Sequence, residues 1–291
     1  MHSSGRIHGE RRSFDDMVLQ ERKSEMTAIS TISTITSISQ GHLNIWETCR
    51  RKYQYSFLEE LSLPEADLDG KKNLLLGANF HLLMQQKELG LDVSALAGSD
   101  EKLQLWLAAF ENHPPVMIDG DRLCEHRRTL EIDIEGDRHH SQNGNHAQGH
   151  FVLTAIYDFL ILGDRQAQIL DWKTHQVAIA SDKLKNNWQT RLYLYLLAKT
   201  TEYKPEQLSM TYWFANTAES VIIEYSQIAH DRTEKNLFQI LTAIAQAQEY
   251  PKLPPESRDC KYCEFRDRCD RGDLLSSVLC SNIEDIPEVT I

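Results

Sequence analysis

The stretch Phe151–Thr174, FVLTAIYDFLILGDRQAQILDWKT, decides the fold. Two apolar runs flank the turn-forming pair Gly163-Asp164, the pattern of adjacent antiparallel strands. With the turn centred between Asp164 and Arg165, residues whose numbers sum to 329 face each other, so Asp158 lies opposite Asp171. Lys173 shares that face because strand side chains alternate with a period of two. Ile156, Leu160 and Ile169 are expected on the same face, and Phe159, Ile161, Leu170 and Trp172 on the other. Two carboxylates and an ammonium therefore converge among residues that otherwise read as core.

Such a convergence needs a chemical reason. Carboxylates a few ångströms apart repel unless one is protonated or a cation sits between them. Oxygen ligands with open positions suit magnesium or manganese, which can hold water and phosphate oxygens. A neighbouring lysine can stabilise charge developing on a phosphoryl transition state or orient the attacking water. Together these groups suit phosphodiester hydrolysis. The alternative reading is a buried Asp-Lys ion pair in an ordinary hairpin.

The string Ile169-Leu170-Asp171-Trp172-Lys173-Thr174, with Asp158 thirteen residues before Asp171, resembles the PD-(D/E)XK nuclease superfamily, in particular its RecB-like branch. Other pieces resemble that branch in its own order. Ser39–Tyr55 (SQGHLNIWETCRRKYQY) is similar to its opening helix, Gly77-x-x-x-His81 to its histidine motif, and Gln189-x-x-x-Tyr193 to its helix after the lysine. Cys260-x-x-Cys263-x5-Cys269 resembles the triplet of its iron-sulfur members, the AddB nuclease domain and the CRISPR-associated RecB-like exonucleases. Two departures stand out: Tyr157 precedes Asp158 where proline or glycine is more usual, and Asp171 stands where many relatives carry glutamate. Both keep the carboxylate.

The resemblance implies an α/β fold: a restriction-endonuclease-like core, with a small mixed central sheet flanked by helices and a four-cysteine cluster joining its N- and C-terminal parts. It implies a metal-dependent DNA exonuclease on single-stranded or end-containing DNA, in repair, recombination or CRISPR-type processing. Asp158, Asp171 and Lys173 would be catalytic. His81, Asp158, Asp171 and the backbone carbonyl of Trp172 would hold magnesium or manganese, and Gln189 and Tyr193 would support the site or face DNA. A helicase or a CRISPR integrase could act beside it. The rival reading is a catalytically inactive DNA- or partner-binding module that keeps the fold and a structural metal cluster.

Six cysteines occur among 291 residues. In a cytosolic chain clustered cysteines point to metal rather than disulfides, and four thiolates suit zinc in general. The resemblance points Cys49, Cys260, Cys263 and Cys269 to a 4Fe-4S cluster instead, with zinc the alternative. Cys124 and Cys280 fall outside that pattern and read as free thiols.

Composition bounds the rest. No run approaches the ~18 apolar residues of a spanning helix, and MHSSGRIHGERRSF lacks a signal-peptide core, which predicts a soluble, cytoplasmic protein away from membranes. Net charge is −12, against extensive non-specific nucleic-acid binding. Locally, Lys173, Lys183, Lys185, Arg191 and Lys199 outnumber Asp171 and Asp182, and Arg50-Arg51-Lys52 adds a second basic spot. A modestly positive groove is one reading; solvated helix faces are the other.

Residues 1–38 read as an extension, whose run TAISTISTITSIS alternates like a strand or serves as linker, residues 39–275 as the nuclease domain with its staple, and 276–291 as a tail. Helices are predicted from Ser39 to about Leu58, from Asn73 to Gly90, and near 100–112, 185–200 and 231–249. Strands are predicted near 124–134, 207–214 and 220–225. The loop GDRHHSQNGNHAQGH carries His139, His140, His146 and His150 at a spacing that matches no common ligand set, so it reads as a solvated connection.

Overall fold

The computed structural model describes residues 35–61, 68–134, 149–174 and 179–272. Its centre is a mixed sheet of β1 (Ile35–Ile38), β2 (Asp121–Ile134), β3 (Gly149–Leu162), β4 (Ala167–Lys173), β5 (Leu208–Phe214) and β6 (Glu219–Glu224). The strand order is β1-β3-β4-β5-β6, with β2 also paired to β3. Strand β1 comes from the end of the stretch read as an extension, and its Ile38 is fully buried.

The hairpin forms in the predicted register over four rungs, and the ladder stops one short of the predicted Asp158–Asp171 pair. Phe159 pairs with Leu170, Leu160 with Ile169, Ile161 with Gln168 and Leu162 with Ala167. The turn is closed by the Gly163 N–H donating to the Gln166 carbonyl at 3.0 Å. Strand β4 also pairs in parallel with β5, and every one of its residues is buried, including the polar Gln168, Asp171 and Lys173.

Helices cover both faces of the sheet, a three-layer arrangement. One core joins the sheet to α1 (Gln40–Thr48), α7 (Trp188–Lys199) and α8 (Gln227–Gln246) through Trp46, Trp188, Leu192, Leu237 and their neighbours. The other joins it to α3 (Leu68–Glu88), α4 (Ser94–Ala97) and α5 (Glu101–Asn112) through Phe80, Met84, Trp106 and Phe110.

One expected alternation fails, and it shapes the site. Phe151, Leu153, Ala155 and Tyr157 enter the first core, as does Leu160, whereas Phe159 and Ile161 enter the second. Ile156 therefore lies on the face opposite Leu160, not beside it as predicted. Strand β2 does the same: Leu130, Ile132 and Ile134 pack on the first core, but so does Leu123, while Cys124 packs on the second. Both strands turn over at one rung. The β2–β3 ladder omits Glu125 and Asp158, and Glu125 has φ +46°. A distortion shared by both partners keeps the register on either side of it intact.

Two predicted helices are each broken once. The first stops at Cys49, which is extended (φ −157°, ψ 117°), and restarts as α2 (Arg50–Tyr53), with the Cys49 sulfur accepting the Lys52 N–H at 3.5 Å. A π-helical turn, Gln54–Leu58, follows. The second is α6 (Ser181–Asn186) and α7, separated by Asn187, whose side chain accepts the Gln189 N–H at 2.8 Å. Helix α8 starts earlier than predicted because Ser226 caps it through the Ala229 N–H.

Candidate active site

The end of β4 carries a buried polar group. Asp171 is 2% exposed and Lys173 5%, and Lys173 Nζ lies 3.0 Å from Asp171 Oδ2. Gln189, in the first turn of α7, bridges them. Its Oε1 accepts from Lys173 Nζ at 3.1 Å and its Nε2 donates to Asp171 Oδ1 at 2.5 Å. The Asn187 cap fixes where α7 begins and so where Gln189 points. Tyr193, one turn on, is buried at 1% exposure. The Tyr157 hydroxyl donates to the Tyr193 carbonyl at 3.1 Å, tying α7 to β3.

Asp158 sits just past the last rung of the β3–β4 ladder. Its Oδ2 accepts the Trp172 N–H at 2.8 Å and lies 3.4 Å from His81 Nδ1 on α3. The Trp172 N–H and C=O point to the same side of their strand, toward Asp158, while the Lys173 carbonyl accepts the Ala215 N–H on the far side. The Trp172 carbonyl is thus directed into the same gap. Gly77 lets α3 come close: a Cβ there would stand 3.3 Å from Thr174 Oγ1.

Glu125, which sequence reasoning missed, joins the group. Donor atoms of His81, Glu125 and Asp158 all lie within 4.8 Å of one another, the one such trio of His, Cys, Asp or Glu among the described residues. Burial would raise the Asp158 carboxyl, but His81, the Trp172 N–H and the Lys173 charge outweigh it and hold it below the usual carboxylate range. Glu125, although exposed as a residue, moves the other way, raised by the partial desolvation of its carboxyl in the gap and by the Asp158 charge against the opposing pull of His81. The residues form two linked parts: Asp171, Lys173 and Gln189 inside, and His81, Glu125 and Asp158 at the mouth. Trp172 and the Lys173 charge connect them. Two carboxylates and an imidazole facing one gap are donors that fit a divalent cation.

The basic residues are less of a groove than their spacing suggested. Lys173 is inside the site, Lys199 pairs with Glu234 at 3.2 Å and Arg191 lies over Trp188, which leaves Lys183 and Lys185 exposed on α6. His139, His140 and His146 lie outside the described residues. His150 lies 2.6 Å from Asp133 Oδ1.

Cys49, Cys260, Cys263 and Cys269 belong to a second region, around the segment 258–271. Burial, together with the charges of Cys49 and Cys260, raises the Cys269 thiol against Lys252 and Arg271, and burial pushes Cys263 up to about 11. Around them Lys52 pairs with Glu264 at 3.0 Å and the Tyr55 ring packs on Phe265 at 5.3 Å. These contacts dock the segment around 258–271 onto α2 and the π turn. No three of the thiols close within 4.8 Å of one another among the described residues. Cys124 is a half-buried thiol on β2, and Cys280 lies outside the described residues.

No helix among the described residues is long and apolar enough to cross a membrane. No curated protein matches the chain. A solved structure described as "Crystal structure of SSO0001" is similar at a TM-score of 0.37 and 16% identity, covering 88% of this chain and 98% of that one. The sequence model of the PD-(D/E)XK nuclease superfamily matches residues 37–270. Because that match runs from β1 through both carboxylates and the lysine to the last of the cysteine triplet, the chain belongs to the PD-(D/E)XK nuclease superfamily.

Proposed function

We propose that this protein is a magnesium- or manganese-dependent deoxyribonuclease of the RecB-like branch, an exonuclease acting on single-stranded or end-containing DNA. The observation that carries the reading is the buried Asp171–Lys173–Gln189 network at the end of a central strand, beside Asp158 and His81. A merely structural Asp-Lys pair has no need of a second carboxylate and a histidine at its mouth.

His81, Asp158, Asp171 and the Trp172 carbonyl would hold the metal. Magnesium or manganese, when bound, supplies Lewis-acid polarisation of a phosphate oxygen and lowers the pKa of a water. The protein supplies the rest. Lys173 Nζ, fixed by Asp171 and Gln189, directs a positive charge and a proton donor at the reacting phosphate and its attacking water. Gln189 accepts a second of the lysine's N–H groups beside its contact with Asp171. On a labelled strand with magnesium or manganese, Asp171→Asn and Lys173→Ala should each lower cleavage by about a hundredfold or more under conditions where circular dichroism shows the variant folded, at a lower melting temperature because one buried partner is lost. Undiminished cleavage by both folded variants would overturn the assignment, and the inactive binding module would take its place if wild-type protein bound DNA without cutting it.

Cys49, Cys260, Cys263 and Cys269 are proposed to bind a 4Fe-4S cluster that clamps the chain, with zinc the alternative metal. What supports this is the mutual influence of the thiols and the docking of the 258–271 segment beside Cys49. Such a cross-link closes a loop of some two hundred residues, worth on the order of 5 kcal/mol of chain entropy by analogy with a disulfide. Cys263→Ser should lose the brown colour and lower the melting temperature together. A colourless preparation with zinc in stoichiometric amount would select the alternative. A helicase or an integrase that delivers strand ends is the class of partner this activity calls for.

A further inference from the structure

We propose that Glu125 is a ligand of the divalent cation, completing with His81 and Asp158 a position of one imidazole nitrogen and two carboxylates at the mouth of the site. The proposal rests on the nuclease reading above and adds a residue that the Asp158…Asp171-x-Lys173 pattern does not contain. Three observations carry it.

Donor atoms of the three side chains already lie within 4.8 Å of one another. A small cation with metal–ligand distances of about 2.1 Å holds its ligands roughly 3 to 4 Å apart, so modest side-chain movement is enough. Secondly, Glu125 faces Asp158 where both β2 and β3 turn over, at the rung the ladder omits. In a regular strand Glu125 would share a face with Leu123; its left-handed backbone, φ +46°, re-aims it at the histidine and aspartate. Thirdly, Glu125 is exposed to solvent while His81 and Asp158 are partly buried, so a cation can reach all three donors from the mouth of the site. Because one donor is an imidazole nitrogen, this position favours manganese over magnesium.

The test is manganese binding by the intact protein, followed by loss of the free-ion electron paramagnetic resonance signal. Glu125 is exposed, so Glu125→Gln leaves the cores untouched and should melt, without metal, as the wild type does. It should bind manganese about tenfold or more weaker, as should Asp158→Asn. If Glu125→Gln binds manganese as tightly as wild type while Asp158→Asn is weakened, Glu125 is not a ligand and the nuclease site stands. If neither substitution changes the affinity, the metal reading of the whole site falls with it.

Discussion

Gln189 touches both members of the buried Asp171–Lys173 pair. Its two amide atoms meet Lys173 and Asp171, so the ammonium is shared rather than locked. Replacing it by leucine removes both bonds while keeping the bulk. Turnover of Gln189→Leu should fall about ten- to a hundredfold with KM nearly unchanged, the expected loss for a group that orients reacting ones. An unchanged turnover would mean that Gln189 only fills space. Asp171 and Lys173 were readable as neighbours because a period of two puts them on one face, whereas Asp158 falls at the one place where that period fails. Glu125 was not readable. Alternation through Leu130, Ile132 and Ile134 assigns it to the outer face with Arg127 and Glu131, and a single positive φ overrules that assignment.

At the scale of elements, the strand inversion and the helix breaks follow from local chemistry. Gly120, just before β2, has φ +156°, and a Cβ there would stand 2.3 Å from the Leu162 carbonyl oxygen at the end of β3. Gly120→Ala should destabilise the protein by about 2 kcal/mol or more, read as a lower urea midpoint, because the clash is with backbone. Helix α1 carries a pH dependence. The His42 ring accepts the Ser39 N–H at 3.2 Å and stacks on Phe57 at 3.8 Å between centroids, and burial lowers its pKa from 6.5 to about 4. The unfolded chain then takes up the proton first as pH falls. The contribution of neutral His42 is complete above pH 6.5 and is lost progressively toward pH 4. Melting temperature should decline across that window, and less so in His42→Gln, which keeps a capping-box side chain without a titrating ring. The breaks at Cys49 and Asn187 show why helix limits were harder to read than helices. Both residues cap a new helix with their own side chains inside an unbroken apolar pattern, and periodicity alone does not register a one-residue interruption.

Across the whole molecule, the least obvious relation is between α2 and the segment around 258–271. The Lys52–Glu264 pair is partly exposed and contributes at most about 1 kcal/mol. Phe265, 2% exposed against Tyr55, carries more of the docking. Phe265→Ala should expose the segment to limited proteolysis near Arg258–Cys269 before the sheet is cut; simultaneous cleavage of both would deny it any separate anchoring. The sheet order was foreseeable in part, since hairpins are local. This docking was visible only through the cysteine pattern, because Lys52 and Glu264 stand 212 positions apart. That separation bears on biosynthesis. At roughly 5 to 20 residues per second, a ribosome needs about 10 to 40 seconds after making α2 to deliver its docking partner. For that interval the nascent helix must stay soluble with its seat missing, which makes it the natural point for a chaperone to hold the growing chain.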